Sequence, residues 1–272
     1  MAKLNLTYDR FGNGVPYLKF GTGAKTLLFL LGGPGNTLPV GVATTGFTRG
    51  MRGFCDEYTV YLVSRKSGLP PHYTTKDMAD DYAAIVRNDF SGQVDLIIGF
   101  SFGGLILQHF AADHGQLAKS MVIGGAAHKI SAEAKRIDYR YALLVNQGKD
   151  REAMAERAAA VFPPGVRRKV LARVLWVFGP MLMGPVEGTF RHDVLIEAEA
   201  EMSHDAETSL GRIEDPLLVV CGRDDFAFSV ADVKEMVGKI RDARLKVYDQ
   251  GHSTVFLDKH FVHDVQAFAK RG

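Results

Sequence analysis

With 272 residues, 46% of them hydrophobic and 24% charged, the chain has the make-up of a folded globular protein and not of a disordered one. Its formal net charge of +2 comes without a long basic run or an aromatic-interleaved Lys/Arg stripe, which argues against a nucleic-acid partner. The two cysteines, Cys55 and Cys221, fit no metal spacing, no redox motif and no disulfide framework, and Cys221 lies in an apolar run as a small buried hydrophobe would.

The first residues, Met1 to Thr7, lack the apolar core of a signal peptide. Two runs, Leu4–Tyr8 and Val15–Phe20, then read as a hairpin joined through Gly12-Asn13-Gly14. Further along, short runs apolar on both faces mark strands buried in a parallel sheet. They are Thr26–Leu31, Thr59–Val63, Val94–Phe100, Ser120–Ile123, Pro216–Val220 and Leu245–Tyr248. Amphipathic stretches alternate with them. Asp77–Asn88 sets Met78, Tyr82, Ile85 and Val86 on one face. Ser229, with Asp232 three residues later, has the form of a capping box ahead of Val233, Met236, Val237 and Ile240. Val255–Lys270 aligns Leu257, Phe261, Val265 and Phe268 as a last helix. Alternating strands and helices predict an α/β fold with a mostly parallel eight-stranded sheet and helices on both faces.

About ninety residues between Gly125 and Pro216 show no strand pattern, far more than a crossover needs. Ser131–Gln147, Asp150–Val161 and Val166–Phe178 read as helices, broken at Pro163-Pro164-Gly165 and Gly179-Pro180. This predicts a helical cap, residues 128–212, inserted in a core of residues 1–127 and 213–272. The most apolar late stretch, Val170–Met183, carries Arg173 and the second break, and is too short to span a bilayer. With neither signal peptide nor membrane span, the chain reads as cytoplasmic.

Four strand ends carry chemistry. Gly99-Phe100-Ser101-Phe102-Gly103 follows one buried run and opens a helix. Such a turn projects a hydroxyl out of the sheet, and the flanking glycines relieve the crowding, so Ser101 is the candidate nucleophile. A serine needs a base near neutral pH. Of nine histidines, His109 and His114 fall on the helix after Ser101, and His260 and His263 on the last helix, as structural or solvated residues. His252 lies instead in the loop after the last strand, at the sheet edge where Ser101 emerges, and is the candidate base. The carboxylate that orients it comes from Gly222-Arg223-Asp224-Asp225; spacing from the glycine favours Asp225, with Asp224 the runner-up. Gly32-Gly33-Pro34-Gly35-Asn36 lacks the Gly-Lys-Ser/Thr ending of a phosphate loop and the glycine spacing of a dinucleotide fold, so no cofactor is implied. The N–H groups of Gly33 and Phe102 are then the candidates to receive an oxyanion.

In chain order these parts run oxyanion turn, Ser, Asp, His, each just after a buried strand. That order resembles the α/β-hydrolase superfamily over nearly the whole chain, with the helical insertion at its usual cap position. The resemblance implies a serine hydrolase; the dehalogenases and epoxide hydrolases of the fold carry Asp where Ser101 stands. Leu31-Gly32-Gly33-Pro34-Gly35 is similar to the His-Gly-Gly-Pro-Gly turn of proline iminopeptidases except at its first position, and Phe102 replaces their usual Trp. An aminopeptidase of that kind holds a free amine with cap carboxylates. Here Glu197, Glu199 and Glu201 alternate along Ile196–Met202 in the manner of a solvated helix face. The segment Ser64–Pro70 resembles the loop after the superfamily's next strand and adds support for the fold but names no substrate.

The cap is rich in large apolar residues, of which Tyr139, Trp176 and Phe178 are the candidates to contact substrate. The expected partner is a small molecule: a small or medium apolar carboxylic ester, cleaved through an acyl-enzyme on Ser101 without metal or cofactor. A proline iminopeptidase-like amide hydrolase, or a slow-turnover receptor on the same fold, are the alternatives.

Overall fold

A computed structural model describes residues 4–162, 164–183, 186 and 188–270. Pro163, in one of the two expected helix breaks, and the chain ends of the expected core lie outside the described residues. Eight strands form one sheet: β1 Thr7–Arg10, β2 Pro16–Phe20, β3 Lys25–Leu30, β4 Tyr58–Val63, β5 Leu96–Phe100, β6 Met121–Gly124, β7 Leu217–Asp224 and β8 Ala243–Gly251. Their spatial order is β1-β2-β4-β3-β5-β6-β7-β8. Only the pairs made by β2, with β1 and with β4, are antiparallel; β4 through β8 run parallel.

A fully parallel centre must be covered on both faces. On one face lie α2 Thr75–Asp89, α3 Phe102–His114 and α9 Val230–Gly238, whose Tyr82, Leu105 and Met236 share a core with Leu28, Ile97 and Val219. On the other, α10 Phe261–Ala269 packs Phe261, Val265 and Phe268 against Leu27, Ile98 and Val220. The helix starts follow local chemistry: Thr74 and Asp77 cap α2 reciprocally, and the Ser229 hydroxyl accepts from the Asp232 N–H ahead of α9.

Several boundaries differ from the sequence expectation. β1 begins at Thr7, not Leu4, because pairing of Thr7 with Lys19 and Arg10 with Pro16 sets it, and all four of its residues are exposed. β5 starts at Leu96, while Val94 makes a lone bridge to Ala118. The expected last helix is two pieces, a 3₁₀ turn His252–Leu257 and then α10. Leu257 is consequently 53% exposed, since Asp258 interrupts the run and its carboxylate takes the His260 N–H. One helix, α1 Gly41–Gly50, had no sequence signal: its glycines and threonines are poor helix formers.

Between β6 and β7 the chain makes a helical excursion: α4 Ala132–Asn146, α5 Asp150–Glu156, α6 Val166–Phe178, α7 Phe190–Met202 and α8 Glu207–Leu210. Tyr141, Val145, Met154, Phe190 and Val194 give it a small core of its own. α7 joins it to the rest, because Ile196 and Ala200 pack into the main core.

Candidate active site

The β5–α3 junction is built around a strained residue. Ser101 has φ 52° and ψ −118°, backbone space that side-chain-bearing residues rarely occupy. Such a conformation costs about 1–3 kcal/mol and must be held by its surroundings. Its N–H donates to Gly124 O at 2.9 Å, and its carbonyl accepts from Gly104 N at 2.8 Å and Leu105 N at 3.1 Å. The neighbouring glycines are steric necessities: a Cβ on Gly99 would run into the Gly103 carbonyl, and one on Gly103 into the Leu30 carbonyl.

The Ser101 hydroxyl lies 2.9 Å from His252 Nε2, and His252 Nδ1 lies 2.9 Å from Asp225 Oδ2. Asp225 Oδ1 accepts from the Ala227 N–H at 2.8 Å and the Phe228 N–H at 3.0 Å, which fixes the carboxylate just past the end of β7. The imidazole is walled by Phe100, Phe226 and Phe228, with ring centroids 5.5–5.8 Å away. Asp224, the runner-up, is exposed at the end of β7 and pairs by backbone with Gly251. A hydroxyl, an imidazole and a carboxylate in this series can pass a proton from the first to the second while the third holds the ring in place.

Gly33 lines the same cavity as Ser101 and His252. Phe102 is buried at the first position of α3. Among the described residues, neither the Gly33 nor the Phe102 N–H has a partner. The glycine turn is held from behind by Arg65, 2% exposed, at the end of β4. Its guanidinium donates to the carbonyls of Leu31 (2.9 Å), Gly33 (2.8 Å) and Gly35 (2.6 Å), and through Nε to Glu197 (2.9 Å). Glu197 also accepts the Gly35 N–H. Burial disfavours the Arg65 charge, but Glu197 and Tyr82 more than offset it, so its pKa ends raised. In the sequence Arg65 stands within the Ser64–Pro70 segment without a role; the available signal is a cation two residues past the apolar run Thr59–Val63.

Glu197 corrects a second expectation. On α7, Asp193, Glu197 and Glu201 recur every fourth residue on one buried face; of the alternating glutamates only Glu199 is exposed. Asp193 takes the N–H groups of Gly68 and Leu69, the Asn36 amide and the Thr189 hydroxyl. Glu201 instead reaches the cavity, where its Oε2 is buried without a partner among the described residues. Burial and the nearby Asp138 push the Glu201 carboxyl well above its usual pKa. Asp138, on α4, is likewise raised by burial, with Arg157 and His252 pulling the other way.

The cavity, about 240 Å³, therefore has two walls. Phe29, Phe47, Phe100 and Phe256 make an aromatic one; Asp138, Arg157 and Glu201 make a polar one on the excursion side. A second cavity of about 410 Å³ adjoins His252, lined by Val161, Phe162 and Pro164 from the excursion and by Asp224 and Thr254. The expected substrate contacts lie elsewhere. Tyr139 packs among the excursion's helices, the guanidiniums of Arg151 and Arg173 lie 5.0 and 5.1 Å from the Trp176 ring, and Phe178 is 58% exposed. Size alone singles them out in the sequence, and none of the three lines the cavity beside Ser101.

The sequence model of the alpha/beta hydrolase family matches residues 28–269. The chain belongs to the alpha/beta hydrolase family. Solved structures similar to this family member include a hydrolase from Pseudomonas aeruginosa PA01, 25% identical, at TM-score 0.72 over 97% of this chain and 98% of that one. The enol-lactonase from Burkholderia xenovorans LB400 is 18% identical, at TM-score 0.72 over 97% of this chain and all of that one. An esterase from Exiguobacterium antarcticum is 19% identical, at TM-score 0.68 over 97% of this chain and 99% of that one. No curated protein matches the sequence. Among the described residues of this hydrolase-family chain, no helix is long and apolar enough to cross a membrane, and no cluster of three His, Cys, Asp or Glu side chains could hold a metal ion.

Proposed function

We propose that the chain is a serine hydrolase that cleaves carboxylic esters by acyl transfer, with the helical excursion as a cap over the site. The reading is carried by the continuous Ser101–His252–Asp225 hydrogen-bond series at a strained strand-to-helix turn. Ser101 attacks the ester carbonyl while His252 Nε2 takes its proton. Asp225 holds the ring and stabilises the imidazolium. The Gly33 and Phe102 N–H groups receive the oxyanion, which α3, beginning at Phe102, also favours through its dipole. The intermediate collapses, and His252 gives its proton to the leaving alkoxide. Water, deprotonated by the same imidazole, then releases the acid and free Ser101.

The aromatic wall suits a small or medium apolar group. A second reading rests on Glu201 and Asp138, which give the cavity carboxyl groups able to meet a substrate amine; on that reading the bond cleaved is an amide beside a free amine.

A panel of p-nitrophenyl esters and aminoacyl anilides, run on wild type and Ser101→Ala, tests both. Ester turnover is expected to fall by about 10⁴-fold or more in the variant. Equal rates in the two proteins would reject Ser101 as nucleophile, and a preference for aminoacyl anilides would favour the amide reading. A stoichiometric burst without turnover would instead favour a receptor.

A further inference from the structure

We infer that the outer face of α6 docks on an anionic phospholipid surface. None of the residues of α6 is fully buried. On its inner side Leu175 packs on the excursion's core, while Arg168, Ala172 and Trp176 line a groove with Glu152 and Glu156 of α5. On the opposite side Val166, Val170, Val174, Val177 and Phe178 recur at helical spacing, and Met181 extends the row into the following 3₁₀ turn. These six are 39–78% exposed. Single exposed apolar residues are ordinary, but a contiguous row along one helix marks a surface that is covered in use.

Charge decides what covers it. Arg167, Lys169 and Arg173 are exposed beside the row, Arg168 is half-buried, and α6 contains no acid. Two copies of this face would bring like charges together, which disfavours self-association. A bilayer with anionic headgroups satisfies both features at once: phosphates meet the cations and the acyl boundary takes the valines. At thirteen residues α6 is about 20 Å long, enough to lie along a membrane surface but not to cross it.

The placement has a use. Val161, Phe162 and Pro164, which line the outer cavity beside His252, lead directly into α6. Seating α6 on lipid keeps that cavity near the bilayer, where apolar esters dissolve. This last step rests on the acyl-transfer reading; the docking does not.

Co-sedimentation of the full chain with vesicles of phosphatidylcholine, with and without phosphatidylglycerol, tests the inference. Binding at low salt should be at least about tenfold tighter to the anionic vesicles and should be released by high salt. Val170→Asp/Val174→Asp and Lys169→Glu/Arg173→Glu should each weaken it by about tenfold or more, with circular dichroism and turnover of a water-soluble ester unchanged. Absence of binding to anionic vesicles at low salt would overturn the inference. So would salt-sensitive binding that survives Val170→Asp/Val174→Asp, which is charge attraction alone. A dimer dispersed by those same changes, without vesicle binding, would assign the face to a second copy and also overturn it. Wild type that binds vesicles yet hydrolyses no ester would leave the docking standing and reject only the acyl-transfer reading.

Discussion

Replacing Arg65 by Met removes four hydrogen bonds, three to carbonyls of the Leu31–Gly35 turn and one to Glu197. The arginine is 2% exposed and Glu197 is fully buried, so the variant strands a carboxylate whose remaining partner is the Gly35 N–H. Breaking a buried ion pair from one side costs about 3–5 kcal/mol. For a chain of this length the melting midpoint should fall by roughly 10 °C. Turnover should suffer separately. With its carbonyls released, the turn no longer presents the Gly33 N–H at a fixed place, and loss of one oxyanion donor lowers kcat by about 10²–10³-fold. The double variant Arg65→Met/Glu197→Leu removes the stranded charge and should recover most of the stability while kcat stays low, with KM little changed. Thermal melts and ester kinetics on the three proteins separate the effects. Recovery of kcat together with stability would refute the positioning argument. A midpoint unchanged in Arg65→Met would refute the burial argument.

Three further outcomes follow from the site and its surroundings. Asp225→Asn should lower kcat by about 10⁴-fold because the ring loses its tautomer control, while Asp224→Asn stays near wild type; steady-state kinetics compare them. Glu201 has its folded pKa raised above the ordinary 4.5, so the native state holds a proton that the unfolded chain has lost above that pH. Glu201→Gln should therefore be more stable than wild type, by a margin that grows as pH rises above 4.5 in urea titrations. His204 runs the other way: burial, then the neighbouring His109, Lys135 and His128, lower it from 6.5 to about 3. Its contribution is complete above pH 6.5 and is lost toward pH 3, at up to about 1.4 kcal/mol per pH unit, so His204→Gln should flatten acid denaturation across that window.

The elements that could be read from the sequence are those whose signal is local. Buried strands such as Thr59–Val63 announce themselves by apolar runs, and the turn at Ser101 by glycines whose Cβ positions are occupied. His252 and Asp225 could be found because topology brings strand ends to one edge. What escaped depends on partners distant in the chain. Glu197 and Glu201 look like part of a solvated face with Glu199 until Arg65 and the cavity are placed against them, and Asp193 carries no signal until Leu69 is placed against it. Phe178 looks like a pocket residue until its helix proves to turn outward. Periodicity shows which residues share a face but not what lies opposite.

The three acids of α7 also imply an uneven tolerance for change. One helix reaches the Gly68–Leu69 loop, the turn behind Gly33 and the wall of the cavity at successive turns. A shift of α7 by a single residue would misplace all three together, whereas among the described residues α5 and α6 make no such hydrogen bonds to the sheet edge. Substitutions should accordingly be tolerated best on α5 and least along the stripe on α7, where one change disturbs three separate attachments.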